Sequence, residues 1–321
     1  MARRIVAAAW LTALLLTCAP ALPTGAVDVV VLPSGRAEAG GAAGGENWLG
    51  RVNSYRIAIG LWPVRENRLL SAGDRCHAIY VVKNEVLQHG EDSGNRFFTP
   101  QGRAAATQSN LFLSYDADDT NSRVIDIWMQ SPFHAVGLLD PRLRQVGYGS
   151  YRDPGGAVKT GAALNVAAGL EESAAVYPIF WPGNRSTVPL VQHWVGFPSP
   201  LQSCPGYVSP SGLPLIIQFG PGDQDPVVAA SSLSADGQPL EHCVFSESTY
   251  RNPDPAQQGL GRSILASRDA VVLVPRAPLQ PGVRYTASIT VGGRDYVWSF
   301  GVEAPETNQR ETYARQTEVG E

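Results

Sequence analysis

The chain has 321 residues, with 25 Lys+Arg against 29 Asp+Glu and a formal net charge of −4. The charges are scattered and no basic cluster occurs, which excludes the phosphate-neutralising stripe of a nucleic-acid binder. The length exceeds one typical domain and suffices to bury at least one large core.

Residues 1–21 have the three-part layout of a signal peptide: Arg3 and Arg4, an uncharged apolar run from Ile5 to Leu16, and a small-x-small site at Ala19-Pro20-Ala21. A spanning helix needs about 20 apolar residues, and neither this run nor any later one reaches that length. The expectation is a secreted protein with no transmembrane span. Leu16-Thr17-Cys18-Ala19 faintly resembles a lipoprotein box, which would lipidate Cys18 and hold the protein at the cell surface. Residues 22–46, rich in Gly, Ala and Pro, read as a flexible linker.

Trp48, Val52, Tyr55 and Ile59 fall on one helical face, stopped by Gly60 and Pro63. A second helix is predicted from Ser71 toward Leu87, with His77, Val81 and Asn84 on one stripe. Residues 89–121 are polar and turn-rich and predict a long surface loop. A third helix starts near Asn121 or Ser122, buries Val124, Ile127 and Trp128, and ends at Ser131-Pro132. The period then becomes that of strands, Gln145 to Tyr151 and Ala162 to Ala167, so residues 47–172 predict an α+β domain.

Residues 173–206 are expected to be an ordered connector, because Trp181, Trp194 and Phe197 call for burial. From Leu213 the pattern is β throughout. Its clearest element is an alternating strand from Val283 to Val291, a Gly292-Gly293 turn, and a return strand to Phe300. Evenly spaced strands over 207–303 predict an all-β immunoglobulin-like sandwich. Residues 304–321 predict a disordered tail. If Cys18 leaves with the leader, three cysteines remain. Cys204–Cys243 is the expected disulfide, both lying at or in the β-rich half, with Cys76 a buried thiol.

Asn53-Ser54-Tyr55-Arg56 followed by Gly60-Leu61-Trp62-Pro63-Val64 resembles the opening of bacterial CAP-superfamily domains (cysteine-rich secretory, antigen 5 and pathogenesis-related proteins). Trp128-Met129-Gln130-Ser131-Pro132-Phe133-His134 is similar to the family's W-M-x-S-P-x-H signature. Leu138-Leu139-Asp140-Pro141 and Val146-Gly147-Tyr148-Gly149 continue it in order, and His89 matches a later histidine position. The resemblance implies a three-layer α-β-α sandwich with a cleft. It also implies a tetrad of two histidines and two acids, matched here by His77 and His134. Ser109 and Ser131 stand where the acids would be, with Asp126 nearby.

Two imidazoles on facing elements can hold a divalent metal such as zinc, which makes His77 and His134 candidate ligands and Asp126 or Glu91 a candidate carboxylate. His89-Gly90-Glu91-Asp92 lacks helical H-E-x-x-H spacing and reads as turn-forming surface. The degraded tetrad favours a non-catalytic module for a small apolar ligand, an envelope component or a protein. The alternative is a metal-dependent, peptidase-like hydrolase using the His77/His134 cleft.

Overall fold

The computed structural model describes residues 47–171 and 175–304. The expected leader and linker, and the tail beyond Ala304, lie outside the described residues. Among those described, no helix is long and apolar enough to cross a membrane.

The first half comprises α1 (Trp48–Ala58), β1 (Arg65–Glu66), α2 (Arg68–Asn84), α3 (Pro100–Ala106), β2 (Ser109–Ser114), α4 (Asn121–Met129), α5 (Pro132–Leu138), β3 (Gln145–Arg152) and β4 (Thr160–Asn165). Its sheet has the order β1-β3-β4-β2. The predicted third helix is α4, capped by the Thr120 side chain on Arg123 N rather than by Asn121 or Ser122. The second helix begins earlier than expected, at an Asn67 cap, and stops at Glu85 in the left-handed region. The predicted surface loop holds α3 and β2. Every residue of β2 is buried, so it lacks the one-sided alternation by which a strand is read from sequence.

Helix α2 lies so close to β3 and β4 that a methyl group at Gly149 would strike the Arg75 backbone, and one at Gly161 would meet Val82. The opposite face of β3 carries Tyr148, stacked on Trp48 at 5.1 Å and edge-on to Trp128 at 6.4 Å.

The matched-looking motifs act as staples. Asn53 exchanges two hydrogen bonds with the Val64 backbone, at 3.1 and 2.8 Å. Arg56 is fully buried and donates to the carbonyls of Trp62, Leu138, Asp140 and Leu143. Burial lowers its pKa to about 10, with Arg144 adding to the fall and Asp140 opposing it. Trp128 Nε1 donates to Leu111 O at 3.0 Å.

The second half comprises β5 (Ile179–Trp181), β6 (Thr187–Val188), β7 (Gln192–His193), β8 (Ser211–Gly212), β9 (Leu215–Gln218), β10 (Val228–Ala235), β11 (Gln238–Pro239), β12 (His242–Ser246), α6 (Pro255–Ala266), β13 (Ala270–Pro275), β14 (Arg284–Val291) and β15 (Arg294–Val302), with a 3₁₀ turn at Pro200–Ser203. Two sheets, ordered β11-β10-β14-β15-β6 and β12-β13-β9-β5, share one core. Both glycines of the β14–β15 turn have positive φ, 59° and 76°. The stretch read as a connector supplies strands to both sheets, since β5 pairs with β9 and β6 with β15. Helix α6, started by the Asp254 cap and Pro255, interrupts the all-β pattern.

Cys204 and Cys243 are disulfide-bonded, with Cα atoms 5.7 Å apart. Cys76 is buried but is also disulfide-bonded, which corrects the expected free thiol.

One apolar core runs through both halves. Phe133 of α5 packs on Phe245 (6.2 Å) and Tyr250 (4.9 Å), while Gln218 donates to Val136 O. Tyr55 meets Trp181 edge-on at 5.4 Å. Beside these contacts Asp140 pairs with Arg142 (2.8 Å) and with Arg268 (3.1 Å) from beyond α6. Burial alone would raise the Asp140 pKa, but the Arg142 bonds and the Arg268 charge outweigh it and hold the carboxyl below its ordinary value.

Phe133→Ala should therefore lower stability by about 3–5 kcal/mol, and the two halves should unfold in a single urea transition. Separate transitions for the two halves, followed by hydrogen exchange, would show that they are independent.

Candidate functional site

Three of the five histidines, His89, His134 and His193, act on one another electrostatically near the end of α3, the start of β2 and the head of α5. The loop after α2 carries His89, whose Nδ1 bonds to Ala106 O at the end of α3, at 2.7 Å. Asn110 of β2 donates to His134 O at 3.1 Å. Strand alternation sends the neighbouring Ser109 the other way. Helix α5 begins with Pro132 at its first turn, and Ser131 before it spends its hydroxyl on His134 Nδ1 at 3.0 Å, making no capping bond. His193 enters from β7, bonding through Nδ1 to Gln130 O at 2.9 Å. Its Nε2 is buried without a hydrogen-bond partner. The loop after β7 closes over this point, where a side chain on Gly196 would strike Ser131 Oγ and touch His193 Cε1.

The imidazoles are electrically coupled. Burial first, then the charges of His89 and His193, push the His134 pKa down to about 3. Burial likewise lowers His193 to about 4 against the raising effect of its Gln130 bond. His89 remains exposed as a residue, but the burial of its ring lowers its pKa, an effect that its Ala106 bond opposes and His77 reinforces. At neutral pH this is an uncharged cluster.

Ser131 and His134 meet as expected, whereas the other expected members lie elsewhere. His77 is fully buried with Glu91 Oε1 on Nδ1 and Gln88 O on Nε2, both at 3.0 Å, so neither nitrogen is open to a metal. The histidines in electrostatic reach of His134 are His89 and His193, and His89 takes the place assigned to His77. Ser109 Oγ donates to Asp74 Oδ1 at 2.7 Å, against α2. Both Asp126 oxygens are held by Arg51, with Tyr55 OH on Oδ1 at 2.7 Å, so Asp126 clamps α1 to α4. Glu91, expected on a polar turn, is buried and also accepts from Thr99 N. Among the described residues no group of three or more His, Cys, Asp or Glu is arranged to hold a metal ion. Sequence reading gave His89 only a motif position and missed His193, which lies in a β strand too short to show a period.

A family model for CAP, the Cysteine-rich secretory protein family, matches residues 49–166. This segment is similar to a CAP domain. His89, Ser131 and His134 fall within the match, and His193 falls outside it. No curated protein matches the chain.

Away from the cleft, burial raises the Asp74 pKa to about 7 although Ser109 and Asn165 donate to it. A raised carboxylate pKa destabilises the fold as the group ionises, so stability should fall between about pH 4 and pH 7, by roughly 4 kcal/mol in all. Asp74→Asn should flatten that decline in urea titrations at several pH values, and an unchanged slope would exclude Asp74 as its source. The lowered histidines act in the opposite sense: their stability is complete above about pH 6.5 and lost as pH falls toward their folded values. Imidazole NMR should find His134 and His193 neutral at pH 5, and midpoints near 6.5 would contradict the burial described.

Proposed function

We propose that this is an exported CAP-domain protein acting as a non-catalytic binding module, seating a small ligand, envelope component or protein partner on the His89/His134 cleft. The observation that carries the reading is the chemistry of the cleft, in which uncharged imidazoles and one hydroxyl stand without a carboxylate. Glu91, Asp126 and Asp74 are each engaged by other side chains or backbone. The leader-like residues 1–21 support secretion. The sheet-rich half is read as an immunoglobulin-like sandwich elaborated by α6, a spacer that also props the cleft. The hydrolase alternative has one contact in its favour, Ser131 Oγ to His134 Nδ1. A base with a pKa of about 3 is poorly matched to neutral-pH proton transfer.

NMR of the full described chain with isotope-labelled histidines, titrated with small uncharged apolar fragments, tests the binding reading. Shifts should concentrate on His89 and His134, and hits confined to other surfaces would remove it. Peptide and ester panels should show no turnover that His134→Ala abolishes.

A further inference from the structure

The sheet-rich half holds a second serine–histidine contact, at the rim between its two sheets. Strand β10 is paired with β14 along its length, but with β11 only at Ser234 and Ala235. Ser231 lies beyond that short pairing, on the edge of its sheet. Its register partner Ile289 is fully buried, and residues directly opposite each other share a face. The Ser231 hydroxyl therefore points inward, toward β12 of the other sheet. There His242 meets it, Nε2 to Oγ at 3.0 Å. Ser231 is exposed and His242 half-buried, so solvent and small solutes reach the pair.

The tautomer of this ring is fixed by its other nitrogen. His242 Nδ1 lies 2.9 Å from Leu240 O. A carbonyl only accepts, so in the neutral ring Nδ1 carries the hydrogen and Nε2 the lone pair. The Ser231 hydroxyl then donates to Nε2. Nucleophile, base and orienting group follow in the order that serine activation requires. A carbonyl rather than a carboxylate backs the imidazole, and the pair is open to water, where charge stabilisation is weak. That confines the chemistry to acyl donors whose leaving group departs with little help, activated esters rather than amides.

We propose that Ser231 is an acyl-acceptor nucleophile activated by His242, taking the acyl group of small activated carboxylic esters. The bond from Ser231 Oγ to the acyl carbon forms as the hydroxyl proton passes to His242 Nε2. The ester C–O bond then breaks, and the proton goes to the departing oxygen to give the free alcohol or phenol. Water, giving its proton to the same nitrogen, later releases the carboxylic acid and restores the serine. The pair lies outside residues 49–166, the segment that matches the CAP family, and uses none of that segment's histidines. It goes beyond the binding reading and stands or falls without it.

The experiment incubates the full chain with p-nitrophenyl acetate, follows nitrophenolate release, and locates the acetyl group by peptide mass spectrometry after an early acid quench. Acetyl should appear on Ser231, while Ser232, its exposed neighbour on the opposite face of the strand, stays unmodified. Ser231→Ala should abolish the label and the release that depends on it. His242→Gln should slow both at least about a hundredfold, the lower end of what a positioned base contributes. Cooperative urea unfolding shows that each variant is folded. The wild-type chain unfolded in urea, where serine and imidazole are separated, should lose the label whatever the variants do. The proposal is overturned by an unlabelled Ser231 with no release that Ser231→Ala removes, or by labelling that proceeds equally in His242→Gln or in the unfolded chain. The pair would then be a latch between β10 and β12 and nothing more.

Discussion

The seating of α5 between the two halves is the constraint on which the rest depends. This short helix places Phe133 against Phe245 and Tyr250 on one side and offers Val136 O to Gln218. Gly261 of α6 is small because Tyr250 and Phe133 occupy the space a side chain would need. The same helix begins at Ser131 and carries His134. Apolar burial between the halves thus fixes the positions of Ser131 and His134, which cannot move without repacking the interface.

Polar groups follow a matching logic. The arginines of the first half do mechanical work: Arg51 with Asp126 ties α1 to α4, and Arg56 gathers the Leu138, Asp140 and Leu143 carbonyls at the turn into β3. Asp140 with Arg142 and Arg268 ties the two halves together. Buried charges persist only when paired or hydrogen-bonded, and each of these is. His89, His134 and His193 bond to carbonyls or a hydroxyl and to no carboxylate, so they answer burial by staying neutral. At His77 the contrast is geometric, since Glu91 Oε1 and Gln88 O occupy both ring nitrogens and make the side chain a structural tie.

This contrast also explains what could be read from the sequence. Helices α1 and α4, strands β3 and β4, and the β14–β15 hairpin announce themselves through period and turn glycines. Strand β2 does not, because a strand buried on both faces has no alternation. Helix α6 is obscured by strands on both sides and by two internal glycines. At the candidate site, Ser131 and His134 of the one motif are hydrogen-bonded to each other. Choosing between His77 and His89 required knowing that Glu91 folds back onto α2, a contact made by a loop and invisible to spacing. His193 lies in another part of the chain altogether, brought in by β7 and the Gln130 carbonyl.

That last contact changes what the CAP segment's motifs can say about function. Asn53, Arg56 and Trp128 bond to backbone groups that hold the fold, so their presence speaks for the fold of residues 49–166 and is neutral about what the cleft receives. The polar groups around His134 come instead from where the segment meets its surroundings: His89 on a loop, Ser131 and His134 at the head of an interface helix, His193 from the sheet-rich half. A CAP-like segment with a different neighbour packed on α5 would keep every staple and lose the His193 contact to Gln130 O. The junction thus sets which groups surround His134, and the binding reading is tested by substitutions along that seam.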